Sequence, residues 1–362
     1  MDNYEQNYFR DISKLAEPSF KEFKTTNYIK STLEKLGVKE YRKFETGLFG
    51  TINVGSKRTI AIRADIDALP YDLKKNRFKH QCGHNLHTSA LLSIIHKISI
   101  GEIKPKSNLR FIFQPAEEVI SGAKFMIEQG CMEKVDEIYA LHVDPEIEFG
   151  IVGIKTGAVM AGSTHFNIKL SGKGTHAAYP HKGNDLIVSA SQFILSSQTI
   201  VSRKIDPVKP AVLSFGKIEG GTAANILPHT LTIDGTYRYI DDETKKILED
   251  SLTTNLQTLS KQFDIRYKLS INDGTYPVIN DNKLIKKAKD IFQINSIKFD
   301  ENTKLSMGGE DFCFYGKYAP SLFLRLGIRK GVTYPLHHPK FSVPIDALLP
   351  AIKIWRAILE NE

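Results

Sequence analysis

Apolar positions in the first half of the chain follow two rhythms. Residues 4–36 carry apolar side chains at helical spacing, whereas TIAIRADI (59–66), LRFIFQP (109–115) and EIYALHV (137–143) are short, mainly apolar runs. Short runs of this kind mark strands buried on both faces. A helix is predicted between the first two runs, over about 86–98. Helices alternating with buried strands predict an α/β domain, with ligands gathering where the strands end.

From about residue 163 the rhythm changes. THFNIKLSG, NDLIVSASQFILSSQTIVSR, AVLSFGKIEGG, TLTIDGTYRYI, DETKKILEDSLTTNLQTLSKQF and IRYKLSIN read as strand, helix, strand, strand, helix and strand. That βαββαβ order is the ferredoxin-like split βαβ arrangement. Helix and strand signals then resume in NDNKLIKKAKDIF, APSLFLRLG and a terminal helix from about 345. The pattern predicts a discontinuous catalytic domain, 1–161 and 271–362, interrupted by an inserted domain, 162–270.

Composition narrows the class. With 41% hydrophobic and 25% charged residues the chain reads as globular, and no apolar stretch reaches signal or membrane length, so the expected location is the cytoplasm. The excess of 49 basic over 41 acidic residues gives a net charge of +8. The lysines are scattered rather than gathered in a stripe with aromatics, which argues against nucleic-acid binding. Cys82, Cys131 and Cys313 are odd in number and far apart, which argues against a disulfide framework and for a compartment where a thiolate ligand persists.

Residues of metal-binding type recur at the predicted strand ends. Asp65 and Asp67 close TIAIRADI, Cys82, His84 and His87 stand in HQCGHNLH, Glu117 and Glu118 in FQPAEE, His142 in ALHV, and His337 and His338 in YPLHHP. Each alone has a common structural reading: a buried small thiol, a hydrogen-bonded core histidine, acids at a helix start. Together they supply the ligands that two divalent ions sharing a bridging group would draw from several loops. Adjacent glutamates add a further possibility. One can bind metal while its neighbour takes a proton from water, which is the chemistry of amide hydrolysis.

RADIDAL, CGH followed by H, FQPAEE, LHV, GKGTHAAYPH, GGTAANILP, GTYR, GGEDF and LHHPKF occur in the order that resembles the amidohydrolase branch of the dinuclear aminoacylase and carboxypeptidase-type metallopeptidases. The resemblance spans nearly the whole chain. It implies that Cys82, His84, Glu118, His142 and His337 hold two divalent metal ions, of zinc, manganese or cobalt type. It makes Glu117 the general base and later the acid, and Asp65 the residue that orients a metal ligand. It implies that the inserted domain forms a homodimer and acts as a lid, with His176 reaching into the partner's site to stabilise an oxyanion and with Asn225 and Arg238 near the substrate carboxylate.

TGLFG, QTIVSR followed by DP, GKGTHAAYPH and FKEFKT resemble the subgroup acting on N-acetyl-LL-2,6-diaminopimelate in bacterial lysine biosynthesis. A general N-acyl amino acid hydrolase of aminoacylase or hippurate type is the alternative enzyme, and an amino-acid-binding protein with a decayed site is the alternative outside catalysis. Two segments depart from the family pattern. Asn85 stands where C-G-H-D-x-H has aspartate, and SKLAEPSF (13–20) replaces the usual His-x-x-Pro-Glu.

Overall fold

The computed structural model describes the chain from Met1 to Glu362, Leu73 excepted. It divides into two compact units: residues 1–159, 278–305 and 310–362, and residues 160–277 with 306–309. The expected return at 271 falls inside the strand Arg266–Thr275. That strand pairs with Gly162–Ser171 as far as Ser163 opposite Thr275, so the ladder keeps it whole and the crossing comes at Pro277.

The first unit is built on an eight-stranded sheet ordered Tyr41–Lys43, Leu48–Ile52, Asn108–Gln114, Thr59–Asp65, Glu137–Glu148, Ser321–Arg329, Val152–Gly153 and Phe299–Asp300. Its four middle strands, Asn108–Gln114 through Ser321–Arg329, run parallel. Strand Thr59–Asp65 is buried along nearly its whole length, its charged Arg63 and Asp65 included, as a central strand of a parallel sheet is. The N-terminal amphipathic stretch becomes two helices, Asn3–Lys14 and Phe23–Lys35, separated by a turn that contains Pro18. Helix His84–Ser99 is buried over its first twelve residues and packs with Trp355 and its neighbours in Leu348–Asn361 in one core. Because the middle strands are parallel, their C-terminal ends deliver Asp65, Gln114 and His142 to one edge of the sheet.

The second unit has the predicted βαββαβ order. Strands Val212–Gly220, Thr230–Tyr239, Gly162–Ser171 and Arg266–Thr275 form one antiparallel sheet in that spatial order. Strict alternation of burial along Thr230–Tyr239 shows one covered face. Helices Leu186–Arg203 and Asp242–Phe263 cover it, meeting Phe166, Ile168, Tyr237 and Leu252 in a separate core. Among the described residues, no helix is long and apolar enough to cross a membrane.

Candidate metal centre

The donors predicted from five segments converge within the first unit. Cys82 Sγ lies 3.3 Å from His142 Nε2 and 3.3 Å from His337 Nε2. Ligand atoms of Cys82, His84 and His142 fall within 4.8 Å of one another, and so do those of Cys82, Glu118 and His337. The thiol is therefore common to both groups.

Backbone geometry explains this convergence. Gly83 has φ +88, and a Cβ there would stand 2.3 Å from Val143 Cγ2, so only glycine turns the chain between Cys82 and the helix that begins at His84. His337 is itself left-handed, with φ 67, and its N–H donates to the Gln81 carbonyl at 2.9 Å.

Hydrogen bonds at the far ring nitrogens fix the imidazoles. His142 Nδ1 donates to the Val143 carbonyl at 2.7 Å, and His84 Nδ1 donates to the Asp67 carbonyl at 3.0 Å and to its carboxylate at 3.1 Å. A carbonyl only accepts, so both rings carry a proton on Nδ1 and turn Nε2 inward. His84 Nε2 and Glu118 Oε1 are buried without hydrogen-bond partners and stand 3.8 Å apart. Burial opposes charge on His84, but Asp65, Asp67 and Glu118 outweigh it and raise its pKa to about 10. Burial, with Glu118 and Glu117 close by, pushes the Cys82 thiol up. Orphaned ligand atoms in a pocket short of positive charge are what a divalent cation would satisfy.

His87, a candidate ligand by spacing, is fully engaged elsewhere. Its Nε2 accepts from the Val143 N–H at 3.0 Å, so Nδ1 carries the proton and donates to Asp65 Oδ1 at 2.7 Å. Burial outweighs Asp65 and lowers its pKa to about 3, leaving a neutral strut that fixes the backbone beside His142. Asp65 also binds Arg63 at 2.6 Å and comes only to 3.8 Å from His84 Nε2. The carboxylate that accepts directly from His84 is that of Asp67, which the sequence offers only as one of the metal-type residues in RADIDAL. Arg63 is fully buried and also grips Gln114 at 2.8 Å, Glu310 at 3.0 Å and Asp311 at 2.9 Å, which ties the GGEDF segment to the sheet edge.

Glu117 and Glu118 ride on a tight loop after Asn108–Gln114. Three buried carboxylates take backbone N–H groups of this loop and of the helix Gly122–Glu128 that follows it: Glu22 from Ala116 at 2.8 Å, Asp67 from Glu118 at 3.1 Å and Asp311 from Ala123 at 2.9 Å. Glu117 Oε2 stands 3.9 Å from His84 Nε2. Burial, reinforced by Glu310 and Glu118, raises the Glu117 pKa well above the ordinary carboxylate range. A cleft of about 450 Å³ opens beside Glu118, walled by Leu69, Pro70, Phe78 and Val119 with Ser19 and Lys21 at its edge.

The two departures from the family pattern meet each other. Asn85 Nδ2 donates to Ser13 Oγ at 2.9 Å, so the changed amide is paired with the changed N-terminal segment.

Three remaining candidates lie in the second unit. His176 is exposed on a two-stranded ribbon, Thr175–His176 against Ile226–Leu227, and the Asn225 carbonyl accepts from the Ala177 N–H at 2.9 Å, so these two sit together. Arg238 is half-buried in Thr230–Tyr239, where its guanidinium donates to Thr236 and to the Tyr237 carbonyl.

A parallel sheet edge that gathers a buried thiol, imidazoles and paired carboxylates in this way defines a metal-dependent amidohydrolase, and the chain belongs to peptidase family M20/M25/M40, which it matches over residues 61–361. Among named relatives, it is 35% identical over 352 residues to N-acetyl-L-cysteine deacetylase of Bacillus subtilis, covering 94% of this chain and 84% of that protein. It is 34% identical over 374 residues to N-acetyldiaminopimelate deacetylase of Listeria innocua, covering 98% of each. Among solved structures, a putative aminohydrolase from methicillin-resistant Staphylococcus aureus superposes with TM-score 0.92 at 29% identity, over 99% of this chain and 96% of that one. A dinuclear metal-binding peptidase of the M20 family from Bacillus subtilis superposes with TM-score 0.86 at 28% identity, over 99% and 98%.

Proposed function

We propose that this amidohydrolase deacetylates N-acetyl-LL-2,6-diaminopimelate, giving acetate and LL-2,6-diaminopimelate, as a step of lysine biosynthesis in the cytoplasm. The observation that carries the reading is the Cys82 thiol held between two imidazoles with Glu118, and with a second glutamate, Glu117, beside His84 and Glu118. The similarity to deacetylases of N-acetylated amino acids supports it.

Cys82, His84, Glu118, His142 and His337 would hold two divalent ions, and zinc, manganese and cobalt all accept such donors. When bound, the ions supply Lewis acidity that polarises an amide carbonyl and acidifies water. The protein's own groups do the rest. Glu117, its pKa raised by burial well above the ordinary carboxylate range, takes a proton from the attacking water and returns it to the departing nitrogen. Asp67 and His87 hold the imidazole-bearing segments in place while this happens. Asn225 and Arg238 take the substrate carboxylate, and His176 stabilises the oxyanion in the site of a second copy, paired through the inserted unit.

Acetate release tests this. With metal-stripped protein reloaded with manganese, cobalt or zinc, kcat/KM for N-acetyl-LL-2,6-diaminopimelate should exceed that for N-acetyl-L-cysteine and N-acetyl-L-leucine by about tenfold or more. A reversed order moves the enzyme to another N-acetyl amino acid. No release from any of the three defeats the reading.

A further inference from the structure

Two motifs that served only to place the chain in a subgroup, FKEFKT and TGLFG, are distant in sequence from the donors. The fold brings both to the back of the loop that carries Glu117. Glu22, from the first motif, is fully buried, and its Oε1 accepts from the Ala116 N–H at 2.8 Å. Its Oε2 has no hydrogen-bond partner. Thr26, one residue past that motif, accepts from the Gly47 N–H of TGLFG at 2.8 Å in a buried contact. Gly47 in turn lies under Pro115: a Cβ on it would stand 2.5 Å from Pro115 Cδ and 3.0 Å from the Phe113 carbonyl.

What this arrangement holds is a strained turn. Ala116 has φ 54, a left-handed conformation that a non-glycine residue adopts at a cost of about 1–2 kcal/mol. Such a residue keeps that conformation only when its surroundings over-determine it. Its N–H is taken by Glu22 and the proline before it is seated on Gly47, so both sides of the Pro115–Ala116 peptide are fixed. The next residue is Glu117. Its side-chain direction is set by the backbone angles immediately before it, and Asp67 on the Glu118 N–H fixes only the far side.

We propose that Glu22, with Gly47 and Thr26, forms a clamp that positions Glu117 for proton transfer. Glu22 is thus a positioning residue that acts through the Ala116 turn without touching substrate. The inference rests on the role of Glu117 given above. It also accounts for the placing of a buried acid where helix Phe23–Lys35 alone would be served by any capping residue. Because burial, and then Asp67, raise the Glu22 pKa to about 8, a glutamine there stays close to the group's state at neutral pH and keeps an acceptor for Ala116.

Steady-state kinetics and metal analysis of Glu22→Ala, Glu22→Gln and Gly47→Ala in the full-length, metal-loaded protein test the clamp. Glu22→Ala should lower kcat by about 10- to 100-fold, the scale expected when a catalytic group is misplaced by about 1 Å. KM and metal content should stay within about twofold of the wild type, since neither substrate contacts nor ligands change. Glu22→Gln should recover most of kcat. Gly47→Ala, which drives a methyl into Pro115, should reproduce the kcat loss with full metal content, and it carries the test if Glu22→Ala cannot be obtained folded. An unchanged kcat in either Glu22→Ala or Gly47→Ala overturns the clamp. So does a Glu22→Gln variant as impaired as Glu22→Ala, or activity lost only in step with metal. If Glu117→Gln remains active, the failure belongs instead to the reading on which the clamp rests.

Discussion

Replacing Glu117 by glutamine should lower turnover by about 10³-fold, within the range that positioned general acid–base groups contribute, while leaving folding and metal content intact. The side chain is buried and 3.9 Å from His84 Nε2, inside the donor cluster but outside both groups that share Cys82. Glutamine preserves shape and burial yet neither accepts nor returns a proton at neutral pH. Burial, with Glu310 and Glu118 beside it, raises the pKa of Glu117 above the ordinary carboxylate range, and glutamine removes both the proton uptake and its return. Substrate binding should persist, read as ligand-induced stabilisation of the variant. Turnover within about tenfold of the wild type would remove Glu117 from the proton-transfer role.

The second large effect is structural. Arg63 binds Asp65, Glu310 and Asp311 together in the buried network behind the cluster. Removing one partner of a buried ion pair costs about 3–5 kcal/mol, because the remaining charges stay buried without compensation. Arg63→Met keeps much of the volume and removes the charge, and should destabilise the catalytic unit on that scale in denaturant unfolding. Burial, with Glu310 adding to it and Arg63 opposing it, already holds Asp311 up at about 7. Adding Asp311→Asn to Arg63→Met should therefore restore part of the lost stability, a coupling that a double-mutant cycle measures directly. Additive losses, or a loss below about 1 kcal/mol in Arg63→Met, would show that the network is not held by this charge.

How far the sequence revealed this site can be judged residue by residue. Mainly apolar runs pointed to the parallel strands, and the motifs that contain or follow them carry the donors that lie around Cys82, although His142 sits within its strand, His84 in a helix and His337 in a turn. The βαββαβ order of the inserted unit was equally plain in the switch from strand to helix spacing. Roles were harder to read than positions. RADIDAL displays two aspartates two residues apart, but only the fold shows that Asp67 binds His84 whereas Asp65 binds His87 and Arg63. His87 has the spacing of a ligand, and what disqualifies it is a backbone N–H from another strand, which no local pattern encodes. Arg63 pairs with residues nearly 250 positions away, so its importance was invisible in RADIDAL. The contact between Asn85 and Ser13 links two departures that look independent in the sequence, across 72 positions.

Metal stoichiometry tests the central claim most directly. Elemental analysis of the purified protein after reloading with zinc, manganese or cobalt should find two ions per chain, with hydrolysis abolished by chelation and regained on metal return. Cys82→Ala, which deletes the donor common to both groups, should hold fewer than two ions and lose activity with them. Full hydrolytic activity without metal, or two ions retained in Cys82→Ala, would contradict a metal centre organised around this thiol.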